Sequence, residues 1–270
     1  MAGEHPSRFD LDTAVVPAGD GRFDARMDRG WWVERGPNGG YVAAVILRAL
    51  TAAVDDPQRT PRSFTVHYLA PPDEGPVSVW TAVERAGRQL SFVTGRLEQG
   101  ERLLALSQAV FSVPVVAPEF EEATPPDVPP PEELERLALE TPFEIPMRAR
   151  YESRWAIGPM PFTGGDRAEA GGWIRLAEPR PADHVLLAAL ADAWVPPVFS
   201  RAEERFGVPT IDLTIHFRSR LLPDDEWFLV VFRTRSSVEG FLEEDGEIWS
   251  RSGRLLAQSR QLALVLSLPA

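Results

Sequence analysis

The sequence predicts an α+β protein built from two tandem units, each a long apolar helix wrapped by a curved antiparallel sheet. Three observations lead there. The Pro-rich, acidic stretch Pro114–Glu135, with Pro125-Pro126 and Pro129-Pro130-Pro131, can form neither a regular helix nor a central strand, and it divides the chain almost in half. The halves on either side share short segments in the same order. Each half also reads as an apolar helix followed by strands. Residues 1–113 are expected to form the first unit, 114–140 the linker and 141–270 the second unit.

The repeat rests on two matches at nearly equal offsets. Arg62-Ser-Phe-Thr-Val-His-Tyr-Leu69 parallels Asp212-Leu-Thr-Ile-His-Phe-Arg218, aligning Thr65 with Thr214 and placing His67 and His216 at equivalent strand positions. Arg102-Leu-Leu-Ala105 recurs as Arg254-Leu-Leu-Ala257. A repeated position favours a repeated structural role for the two histidines over catalysis by both.

In the first half, Gly39-Gly40 precedes Tyr41–Leu50, where Arg48 is the one charge, so the segment is apolar around most of its circumference and predicts a buried helix. Val77, Val79, Thr81 and Val83 alternate as in a strand, and Leu90–Glu98 and Leu103–Val113 read as further strands separated by Gly87, Gly95 and Gly100. In the second half a helix is expected from an Asp183 N-cap through Val195, ended by Pro196-Pro197. Strands at about Thr210–Arg218, Glu226–Arg235, Val238–Ser250 and Leu255–Leu266 complete it.

Composition narrows the function. With 44% hydrophobic and 25% charged residues over 270 positions, the chain is a folded globular protein with a large core. A net charge of −12 argues against a nucleic-acid partner, which needs a basic stripe. The absence of Cys excludes disulfides, a thiol nucleophile and Cys-ligated metals. No window is long and apolar enough to span a bilayer, and Met1–Asp10 holds no apolar segment after basic residues, so no secretory signal and a cytoplasmic location are expected. No His/Asp/Glu spacing suggests a metal site and no Gly-rich loop suggests a nucleotide cradle, so neither metal nor cofactor is expected. A Gly-x-Ser-x-Gly elbow is also absent, which disfavours a covalent serine esterase of the hydrolase fold.

Four segments, taken in order, identify a family. Trp32-Val-Glu-Arg-Gly-Pro-Asn-Gly-Gly-Tyr41, Leu190-Ala-Asp-Ala-Trp-Val-Pro-Pro197, Pro209-Thr-Ile-Asp-Leu-Thr-Ile-His-Phe-Arg218 and Gly253-Arg-Leu-Leu-Ala-Gln-Ser-Arg-Gln261 resemble acyl-CoA thioesterases of the thioesterase II type. Trp173-Ile-Arg175 adds a short match, and the resemblance covers roughly residues 8 to 268. It implies a double hot-dog fold, an acyl-CoA substrate hydrolysed to free acid and CoA, and a water positioned by an Asp, a Thr and a Gln. The matching residues here are Asp192, Thr210 and Gln261. The sequence around them differs, with Trp194-Val-Pro-Pro197 after the Asp and Leu213 and Thr214 in place of family residues, which bears on substrate choice more than on chemistry. The resemblance further implies a homodimer of fused pairs, for which exposed Trp31, Trp32 and Trp80 would be interface candidates.

The residues support part of this on their own. Asp192 lies in Val185–Val198, which holds no other charge, and an uncompensated carboxylate there would cost several kcal/mol or become protonated. Its plainer reading is an Asp facing solvent or bonded to a nearby amide. Gln261 shares a strand face with Leu255, Ala257, Ser259, Ala263 and Val265, where a Gln is either functional or pairs with backbone. Alternation places Thr210 with Asp212, Thr214 and His216, pointing away from Asp192 unless a bulge re-aims it. Asn38, Gly39 and Gly40 would supply oxyanion donors at a helix start, or else only allow tight helix entry. CoA phosphates would need basic residues; Arg148, Arg150 and Arg154, or Arg218 and Arg220, are clustered candidates, but such clusters more often form a solvated face and neither is assigned. Two other functions stay in view: a hot-dog enoyl-CoA hydratase or dehydratase, which needs an Asp and His pair, and a non-catalytic acyl-CoA binding module.

Overall fold

The computed structural model describes residues 6–139, 141, 143–220, 222–223 and 226–267. The first unit contains α1 (Arg8–Asp12), β1 (Val16–Pro17), β2 (Arg22–Met27), α2 (Gly39–Val54), β3 (Thr60–Tyr68), β4 (Gly75–Ala86), β5 (Leu90–Gln99) and β6 (Arg102–Ser112). The second contains β7 (Tyr151–Ile157), β8 (Glu169–Leu176), α3 (His184–Leu190), β9 (Phe206–Gly207), β10 (Thr210–Phe217), β11 (Phe228–Arg233), β12 (Ser237–Val238), β13 (Phe241–Ser250), β14 (Leu255–Leu264) and β15 (Leu266–Ser267). Among the described residues no helix is long and apolar enough to cross a membrane.

One open antiparallel sheet runs through both units in the order β1-β2-β4-β5-β6-β3-β10-β14-β13-β11-β8-β7, with β12 on β13. The units meet where β3 pairs antiparallel with β10. Thr65 lies directly opposite Thr214 there, and the two hydroxyls are hydrogen-bonded at 3.0 Å. The segment that repeats in the sequence thus pairs with its own copy at the centre of the sheet. His67 and His216 flank this point on the exposed face.

Helix α2 is buried because nearly every side chain in it is apolar. Asn38 caps it by accepting from the Tyr41 amide, and Asp55 ends it in the left-handed conformation. Its one charge, Arg48, reaches out of the core to donate to the Thr13 hydroxyl and to pair with Asp10. Helices α2 and α3 lie side by side in a single core, so that both units share one interior under the sheet. Two hot-dog units joined edge to edge, each helix against its own half of the sheet, account for the architecture.

Three expectations are corrected. The second helix ends at Leu190 rather than Val195. Its last turn tightens, with the Asp192 and Ala193 amides bonding only three residues back, because residues before Pro196-Pro197 are steered away from helical geometry. The expected strand Val238–Ser250 is interrupted after Val238 by a tight turn, in which Glu239 and Gly240 both take positive φ. Trp31 and Trp32 are not exposed. Trp31 stacks on Tyr41 with ring centroids 5.0 Å apart, and both indoles are buried in the first unit, leaving Trp80 the exposed one of the three.

The Pro-rich segment has a definite place. Val128 and Leu134 pack on a second cluster made by Trp173, Trp227, Leu229, Val231, Trp249 and Leu255. Trp173 Nε1 donates to the Pro129 carbonyl, and Arg251 pairs with Glu132. The linker therefore covers the outer face of the second unit's sheet. This explains why β11 is apolar on both faces: Phe228, Val230 and Phe232 point into the shared core while Leu229 and Val231 meet the linker.

Candidate active site

The site is assembled where the end of α3 meets the start of α2. Asp192 follows the last turn of α3 and projects its carboxylate at the first amides of the other unit's helix. Its Oδ2 accepts from the Gly40 amide and from Asn38 Nδ2, each at 3.0 Å, and Asn38 Nδ2 also donates to the Asp192 carbonyl at 2.6 Å. Glycine is required by the closeness of the two helices. A Cβ on Gly40 would fall 2.3 Å from the Ala189 carbonyl oxygen, and one on Gly39 would fall 2.9 Å from Asp192 Oδ2. Tyr68 fixes the Gly39 peptide by donating its hydroxyl to the Gly39 carbonyl at 2.7 Å.

Thr210 and Gln261 meet on the sheet beneath. The pairing of β10 with β14 slips between Thr210 and Asp212, so a bulge at Ile211 turns Thr210 out of the alternation that would aim it away. Its hydroxyl donates to Gln261 Oε1 at 2.9 Å. Gln261 is buried, and its amide nitrogen donates to Glu244 Oε1 from the neighbouring strand. Glu244 stands opposite Gln261 in the β13–β14 register.

Two carboxyl groups with unequal surroundings thus share the centre. Burial pushes Asp192 up, and the Gly40, Gln261, Gly39 and Asn38 donors pull it part of the way back, leaving it at about 6. Burial also pushes Glu244 up, and the nearby Asp192 charge pushes it further, to about 8. At neutral pH this arrangement holds one ionised acid able to accept a proton and one neutral acid beside it. The same burial and the Asp192 charge raise the hydroxyls of Tyr68 and Tyr151 well above their ordinary range.

The structure thus joins Asp192 to Asn38 and Gly40, and Thr210 to Gln261. The donors expected for an oxyanion are engaged with Asp192. Of the arginine candidates, Arg150 pairs with Asp28, Arg154 pairs with Glu152, Arg148 donates to the Leu139 carbonyl and Arg218 donates to Gln258. His184 is bonded to the Ser219 carbonyl and packs on Phe217, away from Asp192. Among the described residues no group of three or more His, Asp or Glu side chains could hold a metal. Glu244 and Tyr68 escaped the sequence reading. The signal for Glu244 was present, since it alternates with Leu242, Gly246 and Ile248 on the buried face of β13.

Comparison with known proteins identifies what this centre belongs to. The acyl-CoA thioesterase N-terminal domain matches residues 28–112, and the acyl-CoA thioesterase C-terminal domain matches residues 121–265. The chain belongs to the acyl-CoA thioesterase family. It is accordingly a hydrolase acting on thioester bonds, and Asp192, Thr210 and Gln261 all lie within the matched C-terminal domain. It is 26% identical over 258 residues to acyl-CoA thioesterase 2 of Haemophilus influenzae, a match covering 84% of this chain and 86% of that protein. It is also 26% identical over 265 residues to an uncharacterised protein of Mycobacterium tuberculosis, covering 90% of each. A hot-dog protein of unknown function from Alicyclobacillus acidocaldarius superimposes with a TM-score of 0.87 at 29% identity, covering 98% of this thioesterase-family chain and 100% of that one.

Proposed function

We propose that this thioesterase hydrolyses acyl-CoA to free acid and CoA by direct attack of a water molecule held by Asp192, Thr210 and Gln261. The observation that supports the reading is the Asp192 carboxylate, drawn out of one unit and held by amide donors of the other, beside a Thr–Gln pair that a backbone bulge brings together. Thr210 gives its hydroxyl proton to Gln261 Oε1, so toward the water it offers acceptor lone pairs. Asp192 accepts the second proton as the water oxygen bonds to the thioester carbon. The C–S bond then breaks, and the proton on Asp192 passes to the departing CoA sulfur, with no covalent enzyme intermediate. The oxyanion role suggested for Asn38, Gly39 and Gly40 is kept in a narrower form: their field steadies Asp192, and the positive end of α2 acts on the negative charge growing at the carbonyl beside it.

The positions of the histidines favour hydrolysis over hydration, which needs a His partner for the Asp. His67 and His216 lie on the exposed face, and His5 lies outside the described residues. We also propose a homodimer formed through the uncovered outer face of the first unit's sheet, where Trp80, Phe92 and Leu106 are exposed, and a cytoplasmic location. Sedimentation of the full chain tests the dimer. The activity is tested by CoA thiol release from short, medium and long acyl-CoAs with wild type and Asp192→Asn. Rapid release by wild type, lost in the variant, is expected; acyl-CoA binding without release would favour a binding module.

A further inference from the structure

Glu244 has no place in the hydrolysis described above, yet it is only 5% exposed and lies directly across the sheet from Gln261. A carboxamide can sit in either of two orientations, and what faces each end decides which. Gln261 has the Thr210 hydroxyl at its oxygen and Glu244 Oε1 at its nitrogen. With an apolar residue at 244, the amide nitrogen would lose the acceptor it meets across the sheet and keep only the Asp192 carboxylate to face. A flipped Gln261 would present N–H groups to Thr210, forcing the hydroxyl to accept and turning its proton toward the water. Thr210 would then oppose the attack geometry it otherwise supports.

Resting on the proposed hydrolysis, we propose that Glu244 is a positioning residue of the active site: it fixes the Gln261 amide so that Oε1 faces Thr210, and through that amide it forms a coupled acid pair with Asp192. The charged and titratable groups around it are consistent with this. Asp192 approaches from the end of α3 and Gln261 from β14. Glu243 and Asp245 flank Glu244 on the opposite side of β13, where Arg260 pairs with both and Arg235 with Asp245. Arg233 of β11 is paired with Glu169 and Glu247. Asp192 is compensated by amide donors. Ionising Glu244 therefore adds a second negative charge to a buried site where an oxyanion must develop, and hydrolysis should fall as it loses its proton.

The test uses the full chain as wild type, Glu244→Gln, Glu244→Leu and Asp192→Asn, with thiol release followed from pH 5 to 10. Glu244→Gln keeps an acceptor for the Gln261 amide but cannot ionise. It should hold kcat within about threefold at pH 7 and lose the alkaline fall expected of wild type near pH 8. Glu244→Leu should lower kcat at least about tenfold with KM little changed. A readout independent of turnover is the ¹³C carboxyl resonance of Glu244, assigned by its loss in Glu244→Gln. It should titrate above pH 7 in wild type and at lower pH in Asp192→Asn. Titration in the ordinary carboxylate range regardless of Asp192, or wild-type kcat in Glu244→Leu, would overturn the proposal. Undiminished activity of Asp192→Asn would instead sink the hydrolysis reading, and the carboxyl resonance would then decide whether the pair is coupled.

Discussion

Asp192 Oδ2 lies 3.0 Å from the amide nitrogen of Gly40, although the two residues are 152 positions apart and belong to different units. Two helix ends meet at this contact with opposite electrostatic effects. The C-terminus of α3 presents carbonyls that disfavour a carboxylate, while the N-terminus of α2 presents amide hydrogens that favour one. The carboxylate is thereby kept ionisable in a buried place without an arginine to neutralise it. Fusing two hot-dog units in one chain is what makes the contact intramolecular.

The acid side of the pH profile follows from this contact. Asp192 must be ionised to accept a proton from water, and it stands at about 6. kcat should therefore rise about tenfold per pH unit below that value and level off above it. Asp192→Asn should lower kcat by about 100-fold or more at pH 7 while melting at or above the wild-type temperature, because a buried charge has been removed. A pH-independent residual rate in the variant would agree with this; an unchanged acid limb would assign the limb to another group.

The two glycines should separate stability from catalysis. Gly40→Ala drives a methyl group against the Ala189 carbonyl, backbone that cannot swing aside, and should cost about 3 kcal/mol by forcing the helices apart. Gly39→Ala meets the Asp192 carboxylate and the Tyr68 ring, which are side-chain atoms and can yield. It should melt closer to wild type yet lose about tenfold or more in kcat by displacing Asp192. Melting curves and kcat measured on both variants check the contrast.

Much of this site was legible in the sequence, and the part that was not depended on backbone irregularity. An Asp in an otherwise uncharged segment and a Gln on an apolar strand face are anomalies that pattern reading detects. The duplicated Thr65 and Thr214 segments told of two units, and the structure pairs them edge to edge as neighbouring strands. Thr210 was reached only through the family resemblance, because regular alternation aims it outward and the bulge at Ile211 leaves no mark in side-chain periodicity. The shortened α3 escaped for a similar reason: the prolines marked a stop but not how far their steric effect reaches back. Glu244 alternates with the buried residues of β13, but Glu243 and Asp245 on either side of it give the sequence a run of three acidic residues that masks that alternation.

The linker is expected to act on stability alone. Val128 and Leu134 cover the outer cluster around Trp173, Trp227 and Trp249, on the face of the sheet opposite the one carrying the core and Gln261. Leu134→Asp should expose that cluster and lower stability by about 1–3 kcal/mol. The variant should retain wild-type kcat and KM at a temperature well below its melting point. A changed KM would instead connect the linker with substrate binding.

Glu244 should impose a pH-dependent cost on folding that runs opposite to the usual behaviour of surface carboxylates. Its proton is held to about 8 in the folded chain, against an ordinary value of 4.5, so between these values the folded state binds more protons than the unfolded state. Stability must then fall as pH rises through this window, and Asp192, raised from 3.8 to about 6, adds a fall of the same sign at its lower end. Glu244→Gln removes the first contribution while preserving an acceptor for Gln261. Its melting temperature should match wild type at about pH 3, where Glu244 is neutral in both folded and unfolded chains. The two should separate steadily above that, with the variant more stable by a few kcal/mol at pH 8 to 9. Thermal melts of both proteins across this range decide the matter, since a constant difference would mean that Glu244 is ionised in the folded protein throughout.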